Sequence, residues 1–225
     1  YTKKLNLDLK KIKNSSYMLY DLVLQNFGDG RKDYDGHSTM TTELYLKYNT
    51  LMYPFPQFYE LFCDIKEFFY QIKPSNNYKY YLQSWLNVYK KGDYIDWHNH
   101  WDPKARAWHG FYCVSVPEPS STLYKLPNIE EIIEIRSEEN LLIMGKSDGD
   151  LHRSTENTSD EDRITIAFDI VPQEQINPYK LLNFHIKEVL SIIPVRSIII
   201  FPFAIPLLEI IVSSISFNDD SLVPT

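Results

Sequence analysis

The stretch that decides the fold is Arg163-Ile164-Thr165-Ile166-Ala167-Phe168-Asp169-Ile170-Val171. In a β-strand, successive side chains point to opposite faces of the sheet. Arg163 and Thr165 therefore share one face, while the isoleucines between and after them share the other. A guanidinium offers a planar fork for a carboxylate, and a neighbouring hydroxyl can donate a further hydrogen bond. The pattern predicts a strand that presents an acid-binding pair to the interior.

Similar runs of β-forming residues recur upstream of this stretch. They are rich in Tyr, Trp, Ile, Val and Phe, and residues typical of turns separate them. Several short strands without intervening helices indicate an antiparallel sandwich or jelly roll. The predicted strands cover residues 78–89, 94–100, 110–116, 129–135, 140–144 and 163–171. The predicted fold class is therefore mainly β.

The N-terminal part is expected to support this β core. Between residues 56 and 73, apolar side chains recur at three- and four-residue steps, which is typical of an amphipathic helix that backs a sheet. The run 17–24 is interpreted as a strand. With 225 residues, 44% of them hydrophobic, the chain can bury one sizeable core. We expect one domain over residues 1–175, with its β core at about 78–172, followed by an apolar extension over 176–225.

Three histidines and one carboxylate form a candidate metal site. His98 and His100 are two residues apart, so on a strand they would point to the same side, about 7 Å apart along the chain. His100 and Asp102 have the same spacing, which makes Asp102 an alternative ligand. His152 would join them from a separate strand. A non-haem iron oxygenase needs three ligands on one face of the ion, commonly two histidines and a carboxylate.

The order and spacing of these residues resemble a known family. The chain reads N-x-Y-x2-G-x5-H-x-H from Asn87 to His100, and H-x10-R-x-T from His152 to Thr165. This arrangement is similar to that of the Fe(II)/2-oxoglutarate-dependent oxygenases, and in particular to their phage and bacterial His-x-His branch. The resemblance implies a double-stranded β-helix, which is a cupin-like jelly roll. It also implies a dioxygenase that hydroxylates, or oxidatively dealkylates, a substrate while 2-oxoglutarate is converted to succinate.

The resemblance implies a role for each residue as well. His98 and His152 would bind Fe(II). The residues expected at the co-substrate are Arg163 and Thr165, which bind the far carboxylate of 2-oxoglutarate, and Asn87 and Tyr89, which line its pocket. The third ligand stays open, because His100 stands where most of the family has Asp or Glu. Either three neutral histidines bind the iron, or Asp102 provides a carboxylate, or the exchange has weakened oxygen activation.

Simpler structural interpretations apply to the same residues. A lone histidine in a strand is usually a core or surface residue, and His109 is interpreted in this way. Arg163 could form an ion pair with one of the acidic residues at 160–162. Three tryptophans near the histidines are either core residues or an aromatic wall that excludes water from the site. They are Trp97, Trp101 and Trp108.

Two other classes of function stay open. A three-histidine dioxygenase that binds its substrate directly would use the same metal ligands and leave Arg163 to hold a substrate carboxylate. A non-catalytic β-sandwich module would bind a ligand in the same pocket without oxygen chemistry. The primary substrate is not fixed by such a fold, because its specificity lies in loops.

Composition restricts the partners and the compartment. The net charge of −7, with acidic and basic residues interspersed, offers no broad cationic surface, so nucleic acid is not an expected partner. The expected partners are small molecules, 2-oxoglutarate and O2 among them. Cys63 and Cys113 are too few for a disulfide framework, which favours a reducing, cytoplasmic setting. Because the chain begins at Tyr1, without a methionine or a signal-like apolar stretch, we expect it to be trimmed or partial.

The C-terminal tail is a separate question. Residues 181–193 are predicted to be helical, and residues 197–217 are almost wholly apolar. That run is long enough to span a bilayer, but Glu209 lies inside it and two prolines interrupt it, and each of these disfavours a membrane helix. A packed or partly disordered extension is expected rather than a membrane anchor.

Overall fold

Two helices precede most of the strands in the computed structural model, which describes residues 1–72 and 79–175. All of these residues belong to one compact unit. The helices and strands, in chain order, are β1 (Thr2–Lys4), α1 (Leu9–Phe27), α2 (Pro56–Ile72), β2 (Tyr80–Tyr89), β3 (Trp108–Ser115), β4 (Ser121–Lys125), β5 (Ile133–Arg136), β6 (Leu141–Lys146), β7 (Leu151–Ser154) and β8 (Arg163–Pro172).

The strands form two antiparallel sheets. The larger sheet has the order β1-β6-β3-β8-β2, and the smaller sheet has the order β5-β4-β7. Strands that are neighbours in these sheets are often distant in the chain, as β2 and β8 are, so the topology is that of a jelly roll rather than a meander. Together with the N-terminal helices, this architecture confirms the predicted fold class.

Strand β8 lies between β3 and β2 in the larger sheet. Its register places Arg163 opposite Tyr89, and Thr165 opposite both Asn87 and Cys113. The predicted alternation of side chains is confirmed, because the apolar positions are fully buried in the core. They are Ile164, Ile166 and Phe168. The other face of β8 is therefore free to line a cavity with polar groups.

The helices cover the apolar face of the larger sheet. The predicted amphipathic helix is confirmed as α2, whose buried side chains Phe58, Leu61 and Ile65 join the core of the sheet. Helix α1 begins after Asp8, whose side chain accepts a hydrogen bond from the Lys11 backbone N–H at 3.1 Å. The strand predicted for residues 17–24 is wrong, since this run lies within α1. The buried residues of α1 recur at three- and four-residue steps, because one face of the helix packs against the sheet.

Two further strand predictions differ from the structure, and three observed strands were not predicted. Residues 94–100 form no strand and contribute only an isolated bridge at His98. Within this run the backbone N–H groups of Ile95 and Trp97 donate to the side chains of Ser154 and Asp96 instead of to a neighbouring strand. Strands β1, β4 and β7 were not predicted, because they are short or rich in polar residues. The run 129–135 yields a strand only from Ile133 onward.

Predictions for residues 176–225 lie outside the described residues. These include the expected extension, its helix at 181–193 and its apolar run at 197–217. Within residues 1–72 and 79–175, no helix combines the length and the apolar character that a membrane crossing requires.

Candidate metal centre and acid-binding cavity

His98 and His152 are brought together by the backbone. His98 N–H donates to the carbonyl of His152 at 3.0 Å, and His152 N–H donates to the carbonyl of His98 at 2.9 Å. This reciprocal bridge joins the loop after β2 to β7 and places the two ring centroids 4.3 Å apart. The two segments that the sequence predicted to meet are therefore in contact.

His100 completes a cluster of three imidazoles. Its ring centroid lies 5.4 Å from that of His98 and 5.0 Å from that of His152. One ligand atom from each of the three rings lies within 4.8 Å of the other two. Imidazole is a ligand for iron, zinc and other first-row metals, so the arrangement can hold a divalent cation with small adjustments of the rings.

Two of the three rings are oriented by hydrogen bonds to one nitrogen. Nδ1 of His98 lies 2.7 Å from the Asp96 carbonyl oxygen, and Nδ1 of His100 lies 2.6 Å from Oδ1 of Asp169. In both rings Nε2 is left to bind a metal. Such partners fix the tautomer and direction of a ligating histidine. Nδ1 of His152 is buried without a hydrogen-bond partner, and its nearest carboxylate oxygen, Oδ2 of Asp150, is 3.6 Å away.

The cluster disfavours protonated imidazoles. Burial, and then the nearby His100 ring, lowers the pKa of His98 to about 4. Burial also holds the pKa of His152 well below its ordinary value, and the neighbouring histidines lower it further. Neutral imidazole is the form that binds a metal, so these rings are available as ligands at neutral pH.

A second group of metal-binding side chains adjoins the first. His109, Asp150 and His152 also offer one ligand atom each within 4.8 Å of one another, and all three residues are buried. Nε2 of His109 lies 3.0 Å from Oδ2 of Asp150. Burial alone would favour the neutral carboxyl, but the hydrogen bond from His109 and the nearby His152 ring outweigh it and lower the pKa of Asp150. Asp150 is thus a carboxylate directly behind the cluster.

Asp102, the alternative third ligand, lies elsewhere. It is exposed, and its Oδ1 accepts a hydrogen bond from the backbone N–H of Lys104 at 2.8 Å, which caps a short 3-10 turn. It lines the same cavity as the histidines but belongs to neither group of side chains that could hold an ion. The geometry therefore favours His100 over Asp102 beside the other two histidines.

Arg163 lines the same cavity. It is only 1% exposed, and among the described residues no carboxylate pairs with it. Its terminal nitrogens make three long contacts, to the Ser121 carbonyl at 3.3 Å, Thr122 Oγ1 at 3.4 Å and Ser137 Oγ at 3.2 Å. Its Nε has no hydrogen-bond partner, and its guanidinium carbon lies 5.0 Å from the centroid of the Tyr89 ring. A buried cation in this state is poorly compensated, because neutral oxygens replace the water that it has lost.

The ion pair considered for Arg163 in the sequence is not formed. Asp160 and Asp162 bind other cations instead, namely Lys91 at 2.8 Å and Lys90 at 2.6 Å. The two lysines come from the turn that follows β2, so these acidic residues fix the outer end of β8 and leave the guanidinium inside. Arg163 is thereby left to interact with a ligand.

The remaining predicted pocket residues form one hydrogen-bonded row. Nδ2 of Asn87 donates to Oγ1 of Thr165 at 3.2 Å, and Oγ1 of Thr42 donates to Oδ1 of Asn87 at 2.6 Å. Tyr89 is buried next to Arg163, and burial raises the pKa of its phenol, so it remains a neutral hydrogen-bonding group. All of them except Thr42 were predicted, and all line the cavity.

The cavity joins the two halves of the site. Its volume is about 480 Å³, and its wall includes the three clustered histidines together with Arg163, Thr165, Asn87 and Tyr89. This volume is within the range of pockets for small molecules. The imidazole cluster and the Arg163 guanidinium therefore border the same cavity.

The three tryptophans differ in their surroundings. Trp108 is a core residue on the other face of the sheet, where its ring lies 5.6 Å from that of Phe69. Trp101 lines the cavity and donates from Nε1 to Oδ2 of Asp169 at 2.9 Å. Trp97 is partly exposed, and Nζ of Lys125 lies 4.2 Å from its ring centroid. Of these three tryptophans, Trp101 is the one that lines the cavity.

Three residues of the site were missed in the sequence. Asp169 continues the inward-facing positions of β8, so the alternation that revealed Arg163 and Thr165 could also have found it. Asp150 stands two residues before His152, so the spacing that revealed His98 and His100 could have found it as well, whereas His109 was interpreted as an isolated core or surface residue. Only the fold places His109, which lies on β3, beside Asp150 and His152.

Solved structures similar to this one include oxygenases. A prolyl-4-hydroxylase of Pseudomonas putida matches with a TM-score of 0.51 and 9% identity, over 77% of this chain and 92% of that chain. A prolyl hydroxylase of Trichoplax adhaerens, in complex with a peptide of the hypoxia inducible factor oxygen degradation domain, matches with a TM-score of 0.52 and 12% identity, over 77% and 84%. An oxidoreductase of the 2OG-Fe(II) oxygenase family from Burkholderia pseudomallei is matched over 59% of its length, with a TM-score of 0.42 and 10% identity.

The likeness to the two prolyl hydroxylases shows that the two sheets and N-terminal helices form a jelly-roll fold of the double-stranded β-helix kind. No protein-family model matches the chain, and no curated protein sequence matches it. At such low identity the structural likeness says nothing about which substrate is bound. The chain therefore has an oxygenase-like fold that carries a candidate histidine and aspartate metal site.

Proposed function

We propose that this protein is an Fe(II)- and 2-oxoglutarate-dependent dioxygenase that hydroxylates, or oxidatively dealkylates, a small substrate. The observation that carries the proposal is the buried Arg163, which has no carboxylate partner among the described residues and shares a cavity with three convergent imidazoles. A binding module for a neutral ligand would have no need of either feature. Together they match the two ends of a dicarboxylic keto acid that also binds a metal.

The residues present fit both groups. His98, His100 and His152 would hold the ion, since each has a ring nitrogen that its hydrogen bonds leave free or unpartnered. The three imidazoles carry no negative charge of their own, so the positive charge of the ion would favour an anionic co-substrate. Bound iron would supply the oxygen activation that side chains alone cannot provide.

The protein itself would bind and orient the co-substrate. Arg163 and Thr165 would take the far carboxylate, and Tyr89 would cover the guanidinium from one side. An arginine fork fixes both the position and the rotation of a carboxylate. Asn87 would hold the Thr165 hydroxyl in place through its 3.2 Å hydrogen bond. The keto end would then point along the cavity toward the histidines.

Anaerobic titration tests the proposal directly. Adding Fe(II) and then 2-oxoglutarate to the purified protein should produce a visible charge-transfer band, because the keto acid chelates the bound metal. A spectral change that needs the primary substrate, with none from 2-oxoglutarate, would support the three-histidine dioxygenase instead. That alternative keeps one specific observation in its favour, which is a ligand cluster without a carboxylate. If no iron binds, the non-catalytic module is correct.

Turnover would identify the substrate. Succinate release, measured against a panel of amino acids, peptides and alkylated nucleotides, should rise above the uncoupled rate for one class only. The cavity lining also includes Tyr34, Tyr45 and Trp101, which remain at least partly exposed and would contact the substrate. A substrate with an aromatic or apolar part is therefore the first to test.

A further inference from the structure

Asp169 contacts the cluster of three histidines through Nδ1 of His100. It is buried in β8, and both of its carboxylate oxygens are used. Oδ1 lies 2.6 Å from Nδ1 of His100, and Oδ2 accepts a hydrogen bond from Nε1 of Trp101 at 2.9 Å. Asp169 belongs to neither group of side chains that could hold an ion, but its carboxylate holds the His100 ring.

The position of Asp169 in the sheet links it to the acid-binding residues. Arg163, Thr165 and Asp169 all line the cavity from one face of β8, at alternate positions of the strand. Asp169 is also directly opposite His109 on β3. One strand thus carries the cation that would bind the co-substrate and, six residues on, the anion that contacts a metal ligand.

Other contacts immobilise the His100 ring in this orientation. It is stacked on Trp85, with centroids 5.8 Å apart and planes inclined by 26°, and on His109, with centroids 4.7 Å apart. A short hydrogen bond from a ring N–H to a carboxylate is stronger than one to a neutral oxygen. Such a carboxylate also makes the opposite ring nitrogen a better electron donor to a metal.

We propose that Asp169 is a positioning residue that directs Nε2 of His100 at the metal and supplies, through that ring, the negative charge that three neutral imidazoles lack. This inference rests on the proposed function only in that His100 binds a metal. It concerns the source of the ligand charge, and does not depend on the co-substrate or the substrate. His100 and Asp169 together would act as one anionic ligand.

Metal affinity in three variants tests this role. Cobalt(II), whose bound form absorbs visible light, is titrated into the wild type, Asp169→Asn, Asp169→Ala and Trp101→Phe proteins. Asp169→Asn keeps the shape and an acceptor oxygen but removes the charge, so the dissociation constant should rise about tenfold or more. Asp169→Ala removes the acceptor too, and should raise it up to about a hundredfold. Trp101→Phe leaves His100 untouched and should have a smaller effect in the same direction.

Two controls separate positioning from a general loss of charge or fold. Glu43→Gln removes a carboxylate that lines the same cavity and accepts a hydrogen bond from Ser38, and it should leave cobalt affinity unchanged. In a His100→Ala background, Asp169→Asn should cause no further loss, because the partner through which it acts is gone. Melting temperatures and circular dichroism verify that each variant is folded.

A readout without metal makes the result independent of affinity. In the metal-free wild type, the Nδ1 proton of His100 should give a slowly exchanging, far-downfield proton resonance, which Asp169→Ala should abolish. An unchanged cobalt affinity in Asp169→Asn, with a wild type that binds cobalt, would overturn the inference and leave the proposed function intact. An equal loss in the His100→Ala background would also overturn it. A wild type that binds no metal would end both proposals.

Discussion

Replacing Arg163 with methionine should separate the two halves of the site. The guanidinium is 1% exposed and lies in a cavity with the three histidines, yet it does not belong to either group that could hold a metal. Methionine is of similar length and needs no hydrogen-bond partner, so Arg163→Met avoids a large cavity and an unpaired charge. The variant should therefore fold and should bind metal as the wild type does.

The expected loss in co-substrate affinity follows from the contacts of Arg163. Each hydrogen bond between charged groups contributes about 1.5–3 kcal/mol, and a fork can make two to the same carboxylate. In the absence of a ligand the guanidinium makes contacts of 3.2–3.4 Å to Ser121, Thr122 and Ser137, part of which it gives up on binding. We therefore count two hydrogen bonds at the lower value of this range, which gives about 3 kcal/mol in total. This corresponds to roughly a hundredfold weaker binding of 2-oxoglutarate.

Pyruvate is the matched control ligand, because it keeps the keto acid and lacks the distal carboxylate. Dissociation constants for both acids are measured anaerobically with saturating Mn(II), by the change in intrinsic fluorescence or by calorimetry. Wild type should prefer 2-oxoglutarate to pyruvate by about a hundredfold, and Arg163→Met should bind the two almost equally. Equal weakening of both acids, or a loss of Mn(II) affinity, would refute the role given to Arg163.

The other expected outcomes concern the histidines. In equilibrium dialysis with Fe(II), His152→Ala should abolish most of the metal binding, since it removes one of three ligands. The control His37→Ala should retain wild-type affinity, because His37 stacks on a tyrosine outside the cluster. His100→Ala should bind iron far more weakly than Asp102→Ala does; the opposite order would make Asp102 the third ligand. In the metal-free protein the pKa of His98 is about 4, below its ordinary 6.5, so between these values the unfolded chain binds a proton that the folded one does not. The free energy of unfolding should therefore fall as the pH is lowered from about 6.5 to 4, by up to roughly 3 kcal/mol, and a flat profile in denaturant titrations would contradict the neutral cluster.

Periodic patterns in the sequence predicted which side chains face the core within a single strand or helix. The alternation in β8 predicted which side chains face the cavity and which face the core, because the direction of a side chain in a strand depends only on its position. The amphipathic run in α2 was equally clear, since its apolar face is continuous. The strand prediction for residues 17–24 was wrong because local preference and tertiary packing disagree there. The β-forming residues of this run favour a strand locally, and packing against the sheet makes them helical.

Tertiary structure decided which side chains contact the predicted site residues. The sequence by itself determined that His98, His100, His152 and Arg163 have the types and spacing of a metal and acid site. It could not choose between His100 and Asp102, because equal spacing on a strand makes them equivalent, whereas in the structure residues 94–100 form no strand and Asp102 caps a turn. The carboxylate behind His100 comes from a strand 69 residues further along, through hydrogen bonds that only antiparallel pairing of distant segments can create.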